Sequence, residues 1–169
     1  MALFPIVKYG DPVLRNKTTL VPEITDPLRE TIRDMFKTMY AAPGIGLAAN
    51  QVGLSQCFAV IDIQPGGQKR PIVIINPVIE DRSGKLHEEE GCLSIPEFYE
   101  MVSRPSEVKV RYLDRQGEPQ EILANGVLAT CVQHEIDHLN GVLFIDYISK
   151  LKRDRVVKKF VKAQKLGKL

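Results

Sequence analysis

The stretch Gln133-His134-Glu135-Ile136-Asp137-His138 holds two of the three histidines in this 169-residue chain. On a helix, residues four apart share a face and lie about 6 Å from each other, so His134 and His138 can both reach one cation. Glu135 lies one residue round from His134, close enough to touch water on that cation without ligating it. Two histidines and a carboxylate so spaced announce a metal centre that activates water for hydrolysis. The plainer alternative is a charged surface helix carrying incidental histidines.

A catalytic metal of this class takes three protein ligands and keeps one position open. Cys131 shares the helical stripe of the histidines, but 131 and 138 are about 10.5 Å apart along a helix axis. Three ligands in one line would crowd one side of the metal. Cys131 therefore reads as a neighbour, forming with Val127 an apolar floor that leads up to the histidines. His87 sits in the charged, turn-like stretch GKLHEEE and reads as a solvated surface histidine. Cys92, in EEEGCLSIPE, follows a glycine that lets the backbone bend, and can approach from outside the helix as a loop cysteine. Its alternative is a buried, inert thiol.

These side chains need elements to carry them. A first helix is expected from Asp26, as cap, with Pro27 in its first turn and an apolar stripe of Leu28, Ile32, Met35, Phe36, Met39 and Tyr40. Pro43-Gly44 ends it. Strand-like runs follow at 57–63, 71–80, 99–103, 107–113 and 119–125, with turns at 65–67, 82–84 and 115–117. Connections this short favour antiparallel pairing. A second helix is expected from Asn125 as cap to Gly141, then a short strand, then a third helix from Ser149 towards Leu166. The fold class is α+β, with antiparallel sheets packed around the central HExxH helix and a helix towards each terminus. Residues 1–169 read as a single catalytic domain.

With EGCLS (90–94), QHEIDHLNG (133–141) and GIGLAANQ (44–51) present in that order, the chain resembles the peptide deformylases, in their short bacterial form with a helical C-terminus. The resemblance covers essentially the whole chain. It implies an antiparallel α+β fold and removal of the formyl group from the formyl-methionine of new proteins. It implies one divalent metal ion on Cys92, His134 and His138, with Fe(II) the cellular metal and Zn(II), Ni(II) or Co(II) able to replace it. Glu135 would be the general acid/base. Gln51 and the Leu93 N–H would hold the oxyanion, and Gly46 would lie against the substrate. Ile45, Val127 and Cys131 are candidates for the methionine pocket, and Val127 could equally be core. The acidic run 88–90 reads as a solvated face, although Glu90 could instead pair with Arg104 and brace the Cys92 segment.

The net charge of +2 conceals an asymmetry. Residues 150–169 hold nine of the 23 basic residues and one of the 21 acidic ones, which leaves the body at −6. A docked amphipathic helix with a solvated cationic face accounts for the tail; contact with ribosomal RNA is the sharper alternative, and a membrane surface the weaker one. No apolar run approaches the roughly 20 residues of a membrane span, and no signal or transit sequence is recognisable, so a cytoplasmic location is expected. The three cysteines form no Cys-x-x-Cys and are expected to be reduced. Two rival functions exist. A metallopeptidase would need a further His or Glu ligand downstream, where no histidine follows His138. A structural zinc module would need a fourth ligand and would leave Glu135 idle.

Overall fold

The computed structural model describes residues 3–169. In chain order the elements are α1 (Asp26–Ala41), β1 (Gly46–Ala48), β2 (Phe58–Ile61), β3 (Ile72–Ser83), β4 (Leu86–Cys92), β5 (Ile95–Arg104), β6 (Glu107–Leu113), β7 (Pro119–Asn125), α2 (Gly126–Leu139) and α3 (Lys150–Lys165). Single 3-10 turns at Pro12–Arg15, Ala49–Val52, Pro65–Gly67 and Phe144–Tyr147 join them.

Five strands form one antiparallel sheet in the order β1-β2-β3-β6-β7, and β4 and β5 form a separate hairpin. Side chains alternate across a strand, so the large sheet presents two faces. Phe58, Val60, Val73 and Ile75 face α1 and meet Ile32, Met35, Phe36 and Met39. Ala59, Ile61, Ile74, Val108 and Val110 face the other way, onto Ala129, Val132, Ile136 and Leu139 of α2. The HExxH helix is thus clamped by the sheet along its apolar stripe, with its polar stripe left for the hairpin side.

The α+β architecture is as expected, and several details differ. Thr25, not Asp26, caps α1: its hydroxyl accepts the Leu28 N–H, and Asp26 becomes the first helical residue. The expected short strand after α2 is the 3-10 turn Phe144–Tyr147, because Asp146 Oδ2 folds back to accept the Leu143 N–H at 3.0 Å. Arg82 and Ser83 continue β3 instead of turning. Leu86–Cys92, expected as a charged turn and loop, is strand β4. Its pairing with β5 supplies the hydrogen bonds that its polar composition does not advertise.

The end of α2 is fixed by a close approach. Gly141 has φ +76 and packs on the Arg15 carbonyl so tightly that a Cβ would come within 2.4 Å of its oxygen. Arg15 also pairs with Asp146 at 2.7 Å, tying the N-terminal turn to the segment after α2. Helix α3 caps on Ser149, whose hydroxyl accepts the Lys152 N–H. It docks through Val156 and Phe160 onto Tyr9, Phe98 and the 144–145 turn.

Candidate metal centre

Asn125 starts α2 with extended backbone, though its side chain makes no capping bond, and the helix brings His134 and His138 to one face. Their Nε2 atoms lie 3.2 Å apart, and Cys92 Sγ lies 3.3 Å from His138 Nε2. All three ligand atoms fall within 4.8 Å of one another. Donors placed 2.0–2.3 Å from one centre at tetrahedral angles stand roughly 3.4–3.6 Å from each other, so this donor set fits a divalent cation. Cys92 is not in a loop: it ends β4 where the register with β5 jumps from Gly91↔Tyr99 to Cys92↔Ile95. Leu93 and Ser94 form the two-residue turn that follows. The three residues skipped on β5 include Glu97 in a left-handed conformation, φ +72. The hairpin end is thereby bent towards α2, and the thiol arrives from across the site.

The ring orientation of His134 is set from behind. Its Nδ1 lies 3.0 Å from Glu90 Oε1, leaving Nε2 for the cluster. Glu90 is itself held by Arg104, through Nε at 2.6 Å and the second terminal nitrogen at 3.0 Å. Arg104 also reaches Asp137 Oδ2 at 2.8 Å, and Tyr147 donates its hydroxyl to the same oxygen. Glu90 and Arg104 are both 5% exposed, so the pair is dry on both sides. Burial opposes the Glu90 charge, but hydrogen bonds from His134 and Arg104 prevail and hold its carboxyl below the ordinary value. Of the acidic run, Glu88 and Glu89 are solvated as expected and Glu90 is not. Phe144 lies nearly parallel to the His134 ring at 6.2 Å and closes the remaining side.

Glu135 is 4% exposed, and its Oε1 is buried without a hydrogen-bond partner among the described residues. Burial pushes its carboxyl up to about 7, the range in which a carboxyl group can both take and give a proton. Its other oxygen faces Gly46, where a Cβ would come within 2.4 Å of Oε2 and 2.9 Å of Cys131 Sγ. Any side chain at position 46 would therefore press directly on the carboxylate. Among the protein's own groups the two imidazoles are driven apart: burial and the charge on His134 push His138 down. His134 is raised, despite burial, by Cys92, Glu135 and Glu90.

A cleft of about 730 Å³ opens over this cluster. Ile45, Gly46, Gln51, Leu93, Val127 and Cys131 all line it, so the structure brings together every residue named for substrate contact. Val127 is 61% exposed, which excludes the core alternative for it. Cys131 is buried, its thiol pointing 3.6 Å from the Ile45 carbonyl and raised in pKa by burial. His87 lies outside the cluster, exposed, against Ser103 Oγ. Three neighbours were not anticipated: Ser94, Asp137 and Tyr147. The signal for Asp137 lay in the motif itself, three residues from His134 on an adjoining face of the helix. Ser94 and Tyr147 had no comparable signal, because their positions depend on the hairpin and on the turn after α2.

Residues 3–154 match the family model for polypeptide deformylase. Curated relatives include a peptide deformylase of Rhizobium meliloti, 52% identical over 98% of this chain and 96% of that protein. Another, from Afipia carboxidovorans, is 54% identical over 99% of each chain. Among solved structures, a peptide deformylase from Legionella pneumophila superposes with a TM-score of 0.93 at 46% identity, covering 98% of both chains. One from Synechococcus elongatus, in complex with actinonin, gives 0.88 at 48% identity over 92% of this chain and 86% of that one. The chain belongs to the polypeptide deformylase family and carries that family's hydrolytic activity, the deformylation of peptides.

Proposed function

We propose that Cys92, His134 and His138 hold one divalent cation, Fe(II) in the cell, and that the substrate is the formyl-methionine terminus of nascent chains. The thiolate is soft enough to suit Fe(II) as well as Zn(II), and Ni(II) or Co(II) can take the same donors. When bound, the cation supplies Lewis acidity, acidifying water and polarising a carbonyl oxygen. Glu135 takes the proton of the attacking water and later passes it to the departing amine. As the formyl carbon becomes tetrahedral, negative charge grows on its oxygen, where the Gln51 amide and the Leu93 N–H donate. One such donor is worth about 3 kcal/mol in the transition state. Gly46 lets the substrate backbone lie against β1. Ile45, Val127 and Cys131 contact the methionine side chain, and Glu90 with Arg104 keeps His134 in its ligating orientation.

The observation that carries this reading is the buried carboxylate oxygen of Glu135, unpartnered beside a three-donor cluster and facing a cleft. A structural metal site leaves such a group without purpose. Formate release from formyl-Met-Ala, with unformylated Met-Ala as control, tests the substrate assignment. Metal-loaded, folded protein that released no formate would overturn it. Elemental analysis of anaerobically prepared protein tests the choice of Fe(II). Such a centre is also expected to lose activity in air. Actinonin is expected to bind here as well, given its complex with the Synechococcus relative.

We also propose that α3 docks the enzyme near emerging substrate, in the cytoplasm, through ribosomal RNA. The support is its exposed cationic face, with Lys158, Lys159, Lys162 and Lys165 all solvent-facing. Because Phe160 is wholly buried, removing the helix would cut into the packing, and charge reversal is the cleaner test. Residues 1–169 then act as one catalytic domain with a basic outer helix. No helix among the described residues is long and apolar enough to cross a membrane.

A further inference from the structure

The side-chain amide of Gln51 is already sorted end from end. Its Oε1 accepts the Ala48 N–H at 3.0 Å, which turns Nε2 the other way. Nε2 donates to Ser94 Oγ at 3.0 Å and lies 3.6 Å from Cys92 Sγ. A primary amide nitrogen carries two hydrogens in a fixed plane. With one committed to Ser94, the other is directed at the Cys92 sulfur, one of the three metal donors. Ser94 thus decides where the second hydrogen points. Both side chains are buried, Gln51 at 1% and Ser94 at 0% exposure, so bulk water is not at hand to replace a lost acceptor.

The two partners come from unrelated parts of the chain. Gln51 rides on the 3-10 turn Ala49–Val52, and Ser94 on the hairpin turn between β4 and β5. A third segment spans them. The Val7 N–H donates to the Gln51 carbonyl at 2.7 Å, and the Tyr9 N–H donates to the Ser94 carbonyl at 2.8 Å. Two donors two residues apart on one strap therefore fix the separation of the two turns. The strap is itself anchored, because the Tyr9 ring packs edge-on against Phe160.

We infer that Ser94 is a positioning residue for the Gln51 amide, and that residues 7–9 set the spacing at which it works. The inference rests on the proposed role of Gln51 at the developing oxyanion. Ser94 touches neither substrate nor reacting atoms. Its contribution passes through one hydrogen bond, and so it is felt only while the Gln51 amide is present.

A double-mutant cycle of S94A, Q51A and S94A/Q51A, all zinc-loaded, tests this on formyl-Met-Ala. S94A is expected to lower kcat about tenfold, the effect of one neutral hydrogen bond, with KM held within about twofold and zinc per chain unchanged. In the Q51A background the same change is expected to alter kcat by less than about twofold, because coupled residues are non-additive. A readout independent of turnover is the pair of side-chain amide signals of Gln51 in 15N spectra, assigned by their loss in Q51A. These should move in S94A and exchange faster with solvent. Wild-type kcat in S94A, or an equal loss from S94A with and without Gln51, would overturn the inference. If Q51A alone turned over at the wild-type rate, the oxyanion role of Gln51 would fall, and the inference with it. That outcome is distinguishable, because it appears before Ser94 is touched.

Discussion

Helices α2 and α3 are of similar length, 14 and 16 residues, but α2 buries eight of its residues and α3 only two. What α2 buries is unusual for a helix core, since Gln133, Glu135 and His138 are among the eight. Gln133 donates to the Pro105 carbonyl, and the half-buried His134 is met by Glu90, whereas Glu135 Oε1 and His138 Nδ1 are buried without a hydrogen-bond partner among the described residues. α3 does the opposite. It hides Val156 and Phe160, tucks Val157 partly beneath them, and gives most of its remaining surface to water. The lesson is that burial on α2 sets chemistry, whereas burial on α3 sets attachment. Substitutions in the two helices should therefore fail in different ways.

The largest effect is expected on α2. Glu135→Gln should leave metal content and unfolding temperature close to wild type while lowering kcat by about 10³-fold, the scale of a positioned acid/base. Near-wild-type turnover in that variant would break the contrast at its strongest point. Next comes α3. Phe160→Ala should cost about 3–5 kcal/mol of stability, measured by denaturant unfolding, through the cavity left between Tyr9 and Phe98. At a temperature where the variant stays folded, kcat should be little changed, because the backbone hydrogen bonds of Val7 to Gln51 and of Tyr9 to Ser94 still hold the strap in place once the ring contact is lost. A matched fall in kcat would mean that attachment and chemistry are not separate.

A smaller effect should come from the brace. Arg104→Met leaves Glu90 buried without its cation, and metal affinity should fall about 10- to 100-fold in competition with a chelator. The acid limb of stability should change as well. Because the Glu90 carboxyl is held below its ordinary value, its contribution is present above the usual carboxylate range and lost as pH falls through its lowered pKa. The variant should therefore show less of this acid-linked loss. The smallest effect belongs to the outer face of α3. Reversing Lys158, Lys159 and Lys162 to Glu should alter stability by no more than about 0.5 kcal/mol each. Formate release should be unchanged, while salt-sensitive co-sedimentation with ribosomes should be lost. Retained sedimentation would end the proposed role of the tail.

The contrast also explains which parts of the molecule could be read in advance. Helices announce themselves locally, through caps, periodic apolar residues and terminating glycines, and α2 and α3 fall where those signals put them. The shift from Asp26 to Thr25 at α1 is a one-residue ambiguity between adjacent capping side chains. Strand β4 was illegible for a different reason. His87-Glu88-Glu89-Glu90 has no apolar alternation, and only its register with β5 turns Glu90 inward while Glu88 and Glu89 stay in solvent. Cys92 was identifiable as a donor by its chemistry, but its approach direction depends on the bulge opposite Glu97, a tertiary feature. The same holds for Ser94, whose hydroxyl acquires meaning only when a segment 43 residues away is folded against it.

Gly46 has a consequence for inhibitors. A Cβ there would meet the Glu135 carboxylate, so the enzyme cannot readily alter this position without obstructing its own acid/base group. Escape from a drug usually proceeds by adding bulk where the drug sits closest. A compound that laid its backbone along Gly46 would occupy a surface from which that route is closed, and resistance would have to be sought at the exposed rim around Val127 instead.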